Sequence, residues 1–362
     1  MTLEEILTGT KIVDLFCGIG GLTHGLQQVG IDVEAGYDID ASCRYAYEKN
    51  NRATFYQKDI GKLAATEIEA HWANSPIRVL VGCAPCQPFS NYTQKRKVNG
   101  KWILLYEFSR LIADTKPDII SMENVAQLLA FAKAPIFQDF HDTLDSLGYF
   151  IDFRIVNCAD YGVPQFRKRL VLLASKRGPI SLLEPTHSPD TYVTVRKAIG
   201  HLPAIEHGQS CETDFLHRSN RLTPLNYRRI LSTREGGGWK DWDESLILKC
   251  HKKESGKTYT SVYGRMKWDE PSPTITTHCN GIGNGRFGHP DQHRAISLRE
   301  AAILQSFPDD YAFVRDRSSL NVRRLSAHLG NAVPVGIGKV IGLSIIEHLK
   351  KRIEFIGPLP AE

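Results

Sequence analysis

The sequence predicts an α/β fold: a mostly parallel sheet with helices on both faces and an antiparallel edge strand, plus a small irregular domain. Three observations carry that expectation. Short β-rich runs alternate with amphipathic segments through the first half of the chain. The strand ends carry glycines, prolines and carboxylates, where open α/β sheets bind ligands. After Ser175 periodicity gives way to stretches rich in Gly, Pro, Ser and Thr with interleaved aromatics.

The expected strands are Lys11–Phe16, Val33–Tyr37, Thr54–Gln57, Val79–Gly82, Asp118–Met122, Phe150–Asn157 and Leu170–Ala174. Between them, Leu22–Val29, Ala41–Asn50, Leu104–Thr115 and Ile136–Leu147 have helical spacing. The last two strands are separated only by a loop, which suggests an antiparallel pair at one edge. Lys176–Gly288 reads as loops and short irregular strands. Helix returns at Ser297–Ser306, where Ser297 and Glu300 form a capping box. It returns again at Ala332–Arg352, a segment expected to pack back on the first helix of the sheet domain. The resulting boundaries are 1–185 for the sheet domain, 186–319 for the irregular domain and its bracing segment, and 320–362 for the returning helix.

Composition bounds the function only loosely. The 362 residues have 42% hydrophobic and 23% charged content, ordinary values for a soluble protein. A net charge of +5 permits nucleic-acid binding without demanding it. No signal peptide is expected, since no basic stretch followed by an apolar core opens the chain. No apolar run is read as approaching the length of a membrane span. The eight cysteines are scattered, so disulfides are not expected and a reducing cytoplasm is the default.

Chemistry concentrates at five strand ends. Asp14-Leu-Phe-Cys-Gly-Ile-Gly-Gly21 follows the first strand and opens a helix, so its glycines allow close ligand approach near a helix N-terminus. Its GxGG spacing is a poor match to a dinucleotide fingerprint. Asp38 ends the next strand, placed for ribose hydroxyls, and Asp59 follows the third, within reach of an adenine amino group. This series suits a nucleoside ligand.

Gly82–Ser90, GCAPCQPFS, must turn sharply, because proline fixes φ and donates no N–H. The turn presents Cys86 as a thiol nucleophile that needs a site favouring its thiolate. Cys83-Ala-Pro-Cys86 is formally C-x-x-C, but no second such pair accompanies it, and no metal is expected. Cys83 reads as an inert packing residue. Glu123-Asn124-Val125 closes the following strand, where Glu123 can donate a proton or hydrogen bond to a ring nitrogen. Gln165, Arg167 and Arg169 alternate before LVLLAS, so extended backbone would point them to one face.

With these segments together, the chain resembles the DNA (cytosine-5)-methyltransferases, in the class I, Rossmann-like fold of enzymes that use S-adenosylmethionine. DLFCGIGG is close to the DLFAGxGG form, and Pro85-Cys86-Gln87, ENV, QFRKR and GNAVP (Gly330–Pro334) fall where the family places them. The resemblance implies Cys86 as nucleophile toward cytosine C6 and Glu123 at N3. Gln165, Arg167 and Arg169 would line the cytosine pocket. It implies cofactor contacts from Asp14, Phe16, Cys17, Gly18, Ile19, Gly20, Gly21, Asp38, Ile39, Asp59, Ile60, Pro85, Leu104 and Asn331. Asp38 stands where the family more often has Glu. Ser90 and the basic loop Asn91–Lys101 would close over DNA.

Double-stranded DNA is then the expected partner, read by a target-recognition domain within Thr186–Gly281. DNA-contacting candidates there are Arg218–Arg234, Gly236–Trp242 and Lys249–Lys257. The resemblance also implies a prokaryotic or phage monomer in a restriction–modification or related defence system. An RNA (cytosine-5)-methyltransferase and a non-catalytic DNA-binding relative are the alternatives.

Overall fold

The computed structural model describes residues 3–85, 103–130 and 135–355, without the side chains of Leu3 and residues 352–355. Cys86, Gln87, Ser90 and Asn91–Lys101 lie outside the described residues. The chain divides into two units: residues 1–157, 168–185 and 333–362, and residues 158–167 and 186–332. The returning segment therefore joins the first unit at Val333 rather than at residue 320. Cys158–Arg167 groups with the second unit, in which Gln165 bridges to Ser272.

The first unit holds β1 (Thr10–Leu15), β2 (Asp32–Asp38), β3 (Thr54–Gln57), β4 (Ile77–Gly82), β5 (Ile119–Val125), β6 (Phe150–Asn157) and β7 (Lys168–Ser175). Their order across the sheet is β3-β2-β1-β4-β5-β7-β6. The first five run parallel, and β7 is antiparallel to both neighbours. The reversed strand thus lies one position inside the edge, and β6 is the edge strand. A parallel sheet is covered on both faces, which is why β1 and β4 read as near-continuous apolar runs.

The covering helices are α1 (Leu3–Gly9), α2 (Gly21–Gln28), α3 (Arg44–Asn50), α4 (Ala65–His71), α5 (Ile103–Thr115) and α6 (Ile136–Ser146). Ile136, Phe137, Phe140 and Leu144 recur at helical spacing on α6 and join α5 in the core, with the Phe108 and Phe140 rings 5.8 Å apart.

The second unit contains α7 (Val195–Ile199), α8 (Pro224–Leu231), α9 (Glu254–Lys257), α10 (Leu298–Leu304) and α11 (Val322–Asn331). The strands expected between residues 176 and 288 reduce, among the described residues, to isolated bridges. Side chains replace the missing ladders. Trp239, Trp242 and Leu246 form one small core, and the buried Arg265 bonds the carbonyls of Thr233, His289 and Ile230. The capping box of α10 forms as read, with Ser297 Oγ accepting from Glu300 N–H and Glu300 from Ser297 N–H.

The last helix, α12 (Val335–Phe355), starts three residues later than expected. Pro334 keeps Val333 out of helical conformation, so GNAVP separates two helices. α12 returns to the first unit, where a Cβ on Gly25 of α2 would lie 2.3 Å from the Val335 carbonyl. The membrane reading needs correction. By length and composition, Val322–Lys351 passes for a span, with mean hydropathy 1.6 over its most apolar window. Some 72% of that window is buried within the protein, as in a core helix.

Candidate active site

Register aligns the carboxyl ends of the parallel strands. Leu15 faces Tyr37 on one side and Gly82 on the other, Asp38 faces Gln57, and Gly82 faces Met122. The order of strands reverses between β1 and β4, the switch point at which such sheets bind ligands. One end of the sheet therefore collects the glycine loop, Asp38, Asp59, the Cys83–Pro85 turn and Glu123.

The glycine loop leaves β1 through Phe16, whose φ of +61° is strained for a non-glycine residue. Gly18 (φ +51°) and Gly20 (φ +89°) continue in left-handed conformation, which glycine adopts without steric cost. Gly18 N–H donates to Asp38 Oδ2 at 2.9 Å, and Asp38 Oδ1 accepts from Asp40 N–H at 2.9 Å. Asp38 thereby fixes the loop to the end of β2. A Cβ built on Gly18 would meet nothing within 4 Å, so the loop borders open space. Ile39, beside Asp38, is 66% exposed, unusual for a large aliphatic side chain at a strand end. Asp59 Oδ1 accepts from Gly61 N–H at 3.1 Å and caps the short turn Ile60–Lys62. Phe16, Pro85 and Leu104 are half-buried. A nucleoside with a charged tail fits this set: carboxylates for hydroxyl and amino groups, an exposed aliphatic face, and glycine backbone beside free space.

Four expected cofactor contacts sit deeper. Asp14 is buried and accepts from Thr23 Oγ of α2 at 2.7 Å, so it ties together the two elements flanking the loop. Burial raises its pKa to about 7, against the Thr23 hydrogen bond and with help from the charge of Asp38. The Cys17 thiol is buried, and desolvation pushes its pKa well above the ordinary value. Ile19 is buried, and the Ile60 side chain lies in the sheet core. These side chains shape the loop from within, because apolar packing holds them there.

At β4 and β5 the site is polar and enclosed. Glu123 is only 2% exposed, and Arg169 Nε stands 2.9 Å from its Oε1. That contact is an ion pair without hydrogen-bond alignment, so Oε1 retains acceptor capacity. Cys83, half-buried, donates its thiol to Glu123 Oε2 at 2.8 Å. This corrects its reading as inert. Asn124 Nδ2 donates to the Ala84 carbonyl at 3.1 Å and pins the turn leading to Cys86. Asn124 is given no role by the sequence reading, although it stands inside a segment that reading singles out.

Gln165 and Arg167 precede β7, which begins at Lys168, and group with the second unit; burial alternates along the run, with Gln165 and Arg167 buried and Phe166 and Lys168 exposed. Gln165 is buried, donating to the Leu304 carbonyl and Gln305 Oε1 and accepting from Ile275 N–H. Arg167 donates to the carbonyls of Ile275, Gly330 and Ala332 at 2.9, 3.0 and 3.1 Å. These hydrogen bonds brace the backbone on either side of Asn331, which is exposed at the end of α11. Arg229 of the recognition candidates is buried too, bonded to the Leu246 carbonyl. Arg228, Arg234, Lys240, Lys249 and Lys252 are exposed.

A seven-stranded sheet in this order, with a glycine loop at its switch point and a buried carboxylate near the end of β5, has the fold of a class I methyltransferase. The profile of C-5 cytosine-specific DNA methylases matches residues 10–347, and the chain belongs to that family. It is 53% identical over 339 residues to the type II methylase M.HgiDII of Herpetosiphon aurantiacus, covering 94% of this chain and 96% of that one. It is 32% identical to the type II methyltransferase M.NgoFVII of Neisseria gonorrhoeae, over 90% and 83% of the two chains. Among solved structures, a candidate DNA modification methyltransferase encoded within an E. coli prophage superposes with TM-score 0.72 at 21% identity, covering 94% and 99%. The Dnmt2 methyltransferase of S. pombe gives TM-score 0.56 at 17% identity, covering 94% and 98%. Family membership implies S-adenosylmethionine as methyl donor and DNA as substrate.

Proposed function

We propose that this enzyme methylates C5 of a cytosine flipped out of a specific duplex DNA sequence, through a covalent bond between Cys86 and C6. The observation that supports this reading is the buried Glu123 carboxylate, held between Arg169 and Cys83 one strand from the turn that leads to Cys86. A stacked cytosine hides its C6 face, so the base must leave the duplex. Cys86, as thiolate, adds to C6 while a proton shared between Glu123 Oε1, which accepts no hydrogen bond among the described residues, and N3 neutralises the charge that addition places on that nitrogen. Addition at C6 with N3 so engaged makes C5 nucleophilic.

Asp38, Asp59, Ile39 and the backbone at Gly18–Gly21 would hold S-adenosylmethionine, with Phe16, Pro85 and Leu104 packing beside it. When bound, the cofactor supplies an electrophilic methyl group on its sulfonium. Transfer of the C5 proton to water, return of the shared N3 proton to Glu123 and elimination of Cys86 as thiolate would then restore the aromatic ring. Holding the reactants in line supplies much of the rate. No metal takes part in this reading.

The second unit reads the DNA sequence, with Lys and Arg on phosphates and a few side chains on base edges. The type II relatives support a role in restriction–modification: a cytoplasmic monomer that protects DNA from a cognate endonuclease. Methyl transfer from labelled S-adenosylmethionine to unmethylated duplex DNA and to tRNA tests the proposal, with bisulfite sequencing of the product. Label at cytosine C5 in one short duplex context is expected. Label confined to tRNA would overturn it.

A further inference from the structure

We infer that Cys83 is a positioning residue for the methyl-transfer reaction, its thiol proton holding the Glu123 carboxylate in the orientation that leaves Oε1 for the cytosine. The inference rests on the proposed reaction, in which Glu123 engages N3.

The geometry is specific to this chain's turn. Cys83 follows the last residue of β4, and its backbone N–H donates to the Leu15 carbonyl at 3.3 Å, so its Cα is fixed by the sheet. Glu123 lies in β5, bonded along its strand to β7 and flanked by β4. Two rigid strand ends thus set the distance of 2.8 Å between Cys83 Sγ and Glu123 Oε2. Arg169 takes the other side of the carboxylate, 2.9 Å from Oε1. A glutamate side chain has several accessible rotamers, and losing them inside the protein carries an entropic cost that fixed partners offset. With Arg169 alone, the carboxylate could turn about its terminal torsion, which is broad. With a donor on Oε2 as well, the plane is fixed.

The chemistry of the donor matters. A thiol donates weakly, so it orients Oε2 without competing strongly for the charge that the reaction draws on. The turn is pinned independently by Asn124 on the Ala84 carbonyl. Replacing Cys83 should therefore leave the anchor at Ala84 in place while releasing Oε2 of the carboxylate.

The experiment compares wild type with Cys83→Ala and Cys83→Ser, each in the full chain. The first readout is the infrared S–H stretch, in a spectral window clear of other protein bands. The inference expects a band shifted by hydrogen bonding that disappears in Cys83→Ala and moves to the unbonded position in Glu123→Gln. The second readout is single-turnover methylation, with affinity for cofactor and DNA measured alongside. Cys83→Ala is expected to slow the chemical step about tenfold, the scale of one hydrogen bond to a charged group, with both affinities unchanged. Cys83→Ser, which keeps a donor, should restore the rate.

An S–H band at the unbonded position in wild type would overturn the inference whatever the activity. So would a Cys83→Ala enzyme with an unchanged rate of the chemical step. If wild type fails to methylate DNA cytosine but its S–H band shifts with Glu123→Gln, the contact stands and the proposed reaction fails instead.

Discussion

Arg169 reaches Glu123 diagonally across the antiparallel pair β5–β7: Arg169 lies opposite Val125, and its Nε stands 2.9 Å from Glu123 Oε1. Parallel strands gather the rest of the site at their carboxyl ends. This contact needs the one reversed strand, which brings a residue from its own amino end to the same edge. The unusual strand direction is thus what supplies a cation to this buried carboxylate.

Removing that cation should be costly. Breaking a buried ion pair from one side leaves an uncompensated charge, worth about 3 kcal/mol or more. Arg169→Met is expected to lose about that much in denaturant unfolding and to methylate poorly. Adding Glu123→Gln should recover part of the stability but none of the activity. A double variant no more stable than Arg169→Met would contradict the coupling.

Asp14 should make stability depend on pH. Its folded pKa of about 7 lies above the ordinary carboxyl value near 3.8, so the folded protein binds the extra proton between those limits. Stability from this group is therefore fully present below about pH 4 and declines as pH rises toward 7, by up to about 1.4 kcal/mol per unit. Asp14→Asn, which keeps a side chain that can accept from Thr23, should flatten that slope. Thermal unfolding of both proteins across this window checks it, and parallel curves would show that Asp14 titrates normally.

The opposite sign is expected at Glu300. Burial alone would raise its pKa, but two hydrogen bonds and the charge of Arg294 outweigh it and hold the value down to about 2. Its contribution is present above about pH 4.5 and is lost as pH falls toward 2. Glu300→Gln should thus weaken the second unit at neutral pH by about 3 kcal/mol and remove the corresponding acid sensitivity. Chemical unfolding at pH 7 and pH 3 would reveal it; equal losses at both would contradict the pairing.

Cofactor affinity should depend on the link between Asp38 and Gly18. Asp38→Ala removes the acceptor for the loop and the proposed ribose partner, and is expected to weaken S-adenosylmethionine binding at least about tenfold by calorimetry. Gly18→Ala adds strain of about 1 kcal/mol at a left-handed position and fills the open space beside the loop. Wild-type affinity in both variants would place the cofactor elsewhere.

The sheet was legible because its evidence is local. Thr54–Gln57 and Phe150–Asn157 form with the expected bounds, and the acids at strand ends fall at one edge through register alone. The partners of Gln165 and Arg167 are illegible for a nonlocal reason. Alternation fixes direction only within a continuous strand, and β7 starts after them. Their partners at Ile275, Leu304 and Gly330 lie more than a hundred residues away. The helix Val322–Asn331 carried a local signal that went unread: Asn321 caps it, and Leu325 and Leu329 share its buried face. The pairing of Cys83 with Glu123 could not be read, since it depends on two strand ends meeting in space.

The most direct test of the account uses duplex DNA carrying 5-fluorocytosine at the target position. Fluorine replaces the C5 proton whose loss releases the enzyme, so methyl transfer should leave the protein bonded to C6. The account predicts a stable, cofactor-dependent protein–DNA adduct whose peptide maps to Cys86, absent in Cys86→Ser and strongly reduced in Glu123→Gln. An adduct at Cys83, or turnover of the unfluorinated DNA with no adduct on the fluorinated one, would contradict it.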